Sequence, residues 1–341
     1  MGVNPVRAAT APPAELTRSN DDANGKGVLT IELALFLTLS ALIWLGLWAG
    51  WRAVPFVRPG SDLIYAAKFE QLIRQDLFEP GDKTRVLVFG NSRTMAGFRP
   101  ALFDSLMGPQ VRSVNLALPG DARFLPVLKA ALAGGNRPTH VVLTEPWDAL
   151  QQPPSLFARL TNDAALVNDI APFRQFLRNL ALFVFQSHLN LTAEYRHARG
   201  EVDQMLRDRG WYFIKSQSHY PDDQLPAGYR LATDSPNELY RRRLVDSSLV
   251  HDELFALARQ YDFRIVYVPV NMRMGEFAPP PPADARRVKV ISRDPYVVGI
   301  GPDCYVYPAP SFADPVHLNP AGSVLYTKDL AQLVRATGAF D

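Results

Sequence analysis

Two short stretches carry residue types suited to acyl transfer. The first is Gly90-Asn91-Ser92-Arg93-Thr94, which follows the apolar run Arg85–Phe89. A serine just past the carboxyl end of a buried strand, at a helix start, can turn its hydroxyl to a crevice. Its own amide can then donate to a developing oxyanion. Gly90 allows the tight turn this needs. The same residues also fit a plain turn or a helix cap. The second stretch is Asp314-Pro315-Val316-His317-Leu318-Asn319, ahead of the final helix. An Asp three residues before a His can orient the imidazole and stabilise its charged form, and the His can take a proton from a hydroxyl. Alone, this pattern reads equally as a capped loop. Of the six histidines, His317 alone has an Asp at that offset. His140, His188, His197, His219 and His251 lack metal-ligand spacing and are read as structural or exposed.

Elements of regular structure must bring these stretches together. Arg85–Phe89, Val111–Leu116, His140–Thr144 and Arg264–Pro269 are short apolar runs of the buried-strand type. Helical patterns start at Pro100 and cover Phe124–Ala133, Ser247–Tyr261 and Pro320–Thr337. The alternation implies βαβ units, and so an α/β fold with a parallel sheet and helices on both faces. Between Asp148 and Val245 strand alternation is lost, and Phe173–Arg196 reads as aromatic-rich helix. This insertion follows the third strand, at the edge where open α/β sheets bind ligands. It fits an extra helical layer, a lid or a substrate platform.

Taken as a pair, the Ser at the end of the first strand and the Asp-x-x-His before the last helix resemble the SGNH/GDSL hydrolase superfamily. That resemblance implies a three-layer, flavodoxin-like fold over roughly residues 84–338. Ser92 would be the nucleophile, although Gly-Asn-Ser stands where Gly-Asp-Ser is usual, and Asp314 and His317 would complete a triad. Asn115-Leu116-Ala117-Leu118-Pro119-Gly120 resembles the second block, with the Gly120 amide joining that of Ser92 in the oxyanion hole. The third block departs from the pattern: Thr144-Glu145-Pro146-Trp147-Asp148 holds no Asn. Either another group donates, or the hole has two amides only. One lost donor costs about 10²–10³ in rate. Asn91, Arg93, Asn115, Glu145, Asp148 and Asn319 stand as candidate substrate contacts. Arg93 would meet an anionic polymer or form a surface ion pair. Glu145 and Asp148 would bind sugar hydroxyls or cap and solvate a loop.

The Gly-Asn-Ser-Arg block together with a membrane anchor resembles the SGNH-like proteins of bacterial exopolysaccharide and cell-wall O-acylation, of the alginate O-acetylation type. The implied function is a serine esterase or O-acyltransferase on acyl, above all acetyl, esters of a cell-envelope polysaccharide. A membrane-bound O-acyltransferase would be a partner, and no metal or organic cofactor would be needed. The competing expectation is a non-catalytic SGNH-like scaffold that binds polysaccharide or such a partner.

The anchor is read from Val28–Gly50, whose only charge is Glu32. At about 1.5 Å per residue it covers a ~30 Å hydrocarbon core. Trp44, Trp48 and Trp51 crowd one end, as in an aromatic belt. The expectation is a single-pass signal anchor in a bacterial inner membrane, with the large domain on the periplasmic side. The alternative is a buried core helix. Residues 1–27 read as a structureless cytoplasmic tail, 51–80 as a juxtamembrane connection holding a helix, and 81–341 as the α/β domain with its insertion at 149–245. At 47% hydrophobic residues the chain can bury a large core, and a formal net charge of +2 gives no electrostatic footprint for nucleic acid. The single cysteine, Cys304, excludes an intrachain disulfide. Arg241-Arg242-Arg243 reads as a solvated helix face and Pro279–Pro282 as a stiff surface loop.

Overall fold

The computed structural model describes residues 21–53, 64, 67–72, 76–119, 124–144, 176–188, 190–213, 218, 220–240, 249–278 and 295–341. The chain divides into two compact units, Met1–Val54 and Pro55–Asp341. The first holds one long helix, α1 (Asp21–Ala53). It starts inside the stretch expected to be structureless, because residues 21–27 hold no proline to stop the helix from extending backward. Ile31–Gly50 is long and apolar enough to cross a membrane, and Leu33, Leu35, Phe36, Leu39, Leu42 and Trp44 on it are exposed. That exposure separates it from the core helix of a soluble domain.

The second unit is built on five parallel strands: β1 (Thr84–Phe89), β2 (Val111–Asn115), β3 (His140–Leu143), β5 (Arg264–Tyr267) and β8 (Val297–Gly299), in the order β2-β1-β3-β5-β8. Phe89, Leu143, Tyr267 and Gly299 stand level across the sheet, with Asn115 opposite Val88. The period of two divides the side chains between two cores. Leu87, Phe89, Val141, Leu143 and Ile265 pack on α4 (Phe124–Ala133) and α7 (Leu249–Tyr261). Val86, Val88, Val142 and Val266 face Phe103 of α3 (Pro100–Met107) and Tyr326, Leu330 and Val334 of α8 (Pro320–Thr337). Helices therefore cover both faces, as the alternation implies.

Three expectations change. The segment read as a connection is part of the compact unit from Pro55 onward, because Leu72 and Leu77 are buried in the first core. The strand read as Arg264–Pro269 ends at Tyr267. Beyond Pro269, which has no N–H to give a ladder, a new strand β6 (Val270–Arg273) leaves the sheet and pairs in parallel with β9 (Cys304–Tyr307). The insertion is not wholly helical. The helix expected over Phe173–Arg196 is two, α5 (Phe176–Gln186) and α6 (Leu191–Arg207), and β4 (Ser235–Leu239) pairs with β7 (Phe277–Ala278).

Candidate active site

Ser92 opens the short helix α2 (Ser92–Gly97), three residues past the end of β1. Asn91 is its N-cap, with Oδ1 accepting from Arg93 N at 2.9 Å. Neutral contacts fix the turn. A Cβ on Gly90 would lie 2.2 Å from Thr94 Oγ1 and 2.4 Å from Thr144 Oγ1, so only glycine lets these hydroxyls meet, at 2.5 Å from each other. Asn115 is fully buried at the end of β2. Its Nδ2 donates to the carbonyls of Thr94, Met95 and Phe98, and its Oδ1 accepts from Ala117 N. Asn115 therefore clamps the serine helix. The amide of Ser92 stands at the first position of that helix, where no intrahelical acceptor exists.

The second stretch forms an acid–base dyad. Asp314 Oδ2 lies 2.7 Å from His317 Nδ1, and Oδ1 accepts from the amides of Val316 and His317 at 2.8 Å each. Burial alone would raise the Asp314 carboxyl. The hydrogen bond and charge of the His317 ring, with the two amides, outweigh burial and hold it below the ordinary aspartate value. With Nδ1 facing a carboxylate, the proton belongs on Nδ1 and the lone pair on Nε2. The ring is 29% exposed, yet Nε2 is itself buried and has no hydrogen-bond partner among the described residues.

Strand β6 ties the two stretches to one scaffold. Arg93, next to Ser92, pairs with Glu276 and donates to Asn271 O at 3.1 Å, and Asn271 Nδ2 donates back to Arg93 O at 3.3 Å. Two residues along, the wholly buried Arg273 pairs with Asp234 at 2.5 Å and donates to Pro315 O at 3.2 Å, inside the Asp314–His317 loop. Residues two apart on a strand share a face and lie about 6.5 Å apart. Leu318 completes the join, with Cδ1 3.4 Å from where a Cβ on Gly97 of α2 would stand. No hydrogen bond joins Ser92 Oγ to His317 Nε2.

The other expected residues divide. Arg93 forms an ion pair, but with a side chain only 12% exposed it is no surface group. Asn319 is the N-cap of α8, with Oδ1 on Gly322 N and Nδ2 on the carbonyls of Asp223 and Pro310. Asn115 and Asn319 are thus both buried and engaged with the protein's own backbone. Gly120, Glu145 and Asp148 lie outside the described residues, as do Arg241–Arg243 and Pro279–Pro282. Asn271, Arg273, Glu276 and Asp234 were not visible as site residues in the sequence. The one available signal was the alternation in Val270-Asn271-Met272-Arg273, polar residues at every second place beside an apolar run. A cleft of about 680 Å³ lies beside the serine helix, lined in part by Glu201, Gln204, Met205, Trp211, Tyr212 and Pro320. Trp211 Nε1 and Tyr212 N fix its wall by donating to Ala96 O and Met95 O.

Set against protein-family models, curated proteins and solved structures, the chain matches none of them.

Proposed function

We propose that the chain is a membrane-anchored, SGNH-type serine esterase or O-acyltransferase acting on acyl esters of a cell-envelope polysaccharide. The observation that carries this is the Asp314–His317 dyad. Its basic nitrogen is buried and has no hydrogen-bond partner among the described residues, and its loop hangs from the same strand as the turn bearing Ser92. The sheet order supports the reading. Its five strands run 2-1-3-4-5 when counted within the sheet, as in flavodoxin-like folds, whose ligands sit at the carboxyl ends of the strands.

In the mechanism, His317 Nε2 takes the Ser92 proton as Oγ bonds to the ester carbonyl carbon. The carbonyl electrons move onto oxygen, which meets the amides of Ser92 and Gly120. Collapse of the intermediate breaks the ester bond, and the leaving alcohol takes the proton from His317. Water or a sugar hydroxyl then gives its proton to Nε2 as it attacks the acyl-serine carbonyl, and collapse breaks the acyl–Oγ bond while Ser92 Oγ takes the proton back from His317. Asp314 keeps the ring in the needed tautomer throughout. The helix Ile31–Gly50 would hold the domain at the membrane surface, where donors carried by a membrane acyltransferase are concentrated. In this reading the domain would lie on the periplasmic side.

The test is labelling of the full-length chain with a fluorophosphonate, with the adduct mapped by mass spectrometry, beside hydrolysis of a chromogenic acetate ester. The adduct is expected on Ser92 and absent from Ser92→Ala. Labelling that persists in Ser92→Ala rejects this nucleophile. A non-catalytic scaffold is the second reading. It is favoured by the missing Ser92–His317 hydrogen bond and by the Thr144 hydroxyl, which faces Thr94 at the third-block position. No labelling of the parent chain would select it.

A further inference from the structure

A buried amine stands behind the second block. Lys68, in the helical stretch 67–72, is 1% exposed, and no carboxylate pairs with it among the described residues. Its Nζ donates to Asn115 O at 2.9 Å and to Ala117 O at 2.7 Å. The surroundings are apolar: Ile64, Met95, Ala117 and Met205 pack together here. An ammonium without a counter-ion in such a place costs several kcal/mol, and burial pushes its pKa down to about 7. A methionine would fill the space without that cost, so stability alone does not account for a lysine here.

Its two acceptors show what the amine achieves. Asn115 and Ala117 lie two residues apart, just where β2 ends and the chain runs on to Gly120. On the other side of the same stretch, Leu116 N donates to Val88 O and Leu118 N to Gly90 O. The carbonyls of 115 and 117 therefore point to Lys68, and the amides of 116 and 118 point to the end of β1. The stretch is held from both sides, and Leu118 ties it to Gly90 at the start of the Ser92 turn.

We propose that Lys68 is a positioning residue of the acyl-transfer site: by binding the carbonyls of Asn115 and Ala117 it fixes the strand end whose Leu118 amide holds Gly90 O and whose Asn115 side chain clamps the serine helix. This rests on the serine-hydrolase reading above.

The test uses the full chain in detergent micelles and the variant Lys68→Met, which keeps the length and apolar volume of the side chain but loses the donors. Circular dichroism and melting are expected to match the parent. Amide exchange across 115–119 is expected to rise tenfold or more, and fluorophosphonate labelling of Ser92 to slow by tenfold or more. Lys68→Gln, which regains two N–H donors, is expected to recover part of both. Exchange within twofold of the parent overturns the proposal, and so does faster exchange with an unchanged labelling rate. If Lys68→Met does not fold, Lys68→Leu, which also lacks the donors, is read against the parent by the same criteria. A parent chain that never labels defeats the hydrolase reading, while exchange still decides whether Lys68 holds the strand end.

Discussion

The Ser92 turn and the Asp314–His317 loop reach β6 from opposite ends of the domain sequence, and they are held by different physics. Around Ser92 the fixing contacts are mainly neutral and short. Gly90 admits two threonine hydroxyls, Asn91 caps the helix, and Asn115 binds three of its carbonyls. The loop instead relies on a buried charge. Arg273 donates to Pro315 O while Asp234 neutralises its charge, and Tyr229 adds a carbonyl at 3.2 Å and a ring 5.2 Å from the guanidinium. Neutral contacts of this kind lose one bond at a time when altered. A buried ion pair fails all at once, because removing one partner strands the other.

Direct removal of the reacting groups gives the largest expected effect. Ser92→Ala and His317→Ala should each lower ester hydrolysis by ~10³-fold or more, with the melting temperature slightly lowered in His317→Ala, which loses the hydrogen bond to Asp314. Steady-state kinetics with a chromogenic acetate ester, beside thermal melts, measures both. Equal activity in His317→Ala would leave the dyad a mere loop cap and dissolve the comparison.

Next comes Arg273→Met. It leaves Asp234 without its cation, and the expected loss is at the lower end of the ~3–5 kcal/mol typical of a broken buried pair. Asp234 follows the exposed residues Leu231–Thr233, where water can partly replace the arginine. Urea unfolding reads the loss. The double variant Arg273→Met with Asp234→Leu should recover a good part of it. A double variant no better than the single one would show that the pair's charge is not what holds the loop.

Gly90→Ala tests the other side at about 1–3 kcal/mol, the usual range for overpacking. The new methyl would collide with Thr94 Oγ1. Adding Thr144→Ser or Thr94→Ser keeps both hydroxyl oxygens and does not relieve that clash, whereas Thr94→Ala, which removes the oxygen nearest the new methyl, should recover part of the loss in a thermal melt. Full stability in Gly90→Ala alone would show that the turn is looser than its packing implies.

The contrast also explains what the sequence could show. Val86–Phe89 is apolar at every place, which already implies a strand buried on both faces, and Asn319-Pro320 announces the start of α8. Ser92 and Asp314–His317 were visible because each is local: a glycine turn and a three-residue offset. The charged supports were not. Arg93 and Glu276 stand 183 residues apart, and Arg273 and Asp234 stand 39 apart, so no periodicity links them. A helix within 51–80 was legible, but not the strand end that Lys68 binds. The ladder break at Pro269, which frees β6, was hidden inside one apolar run, Ile265–Val270.

The smallest expected effect separates the two regions by pH. Asp314 has a carboxyl held below its ordinary value in the folded chain. A group of that kind adds stability at pH above its unfolded value, ~3.9. The contribution fades as pH falls through the folded value, where native and unfolded chains bind the same proton. Asp314→Asn cannot titrate, so the parent should melt slightly higher than the variant near neutrality, and the gap should close toward pH 3. The Ser92 turn is fixed by Gly90, Asn91 and Asn115, which do not titrate, so Asn115→Ala should differ from the parent by the same margin at every pH in that range. Melting curves of the three chains between pH 7 and 3 decide this. A gap for Asp314→Asn that stays constant into acid would mean that the carboxylate contributes only as a neutral acceptor, and that charge in this loop acts through Arg273 alone.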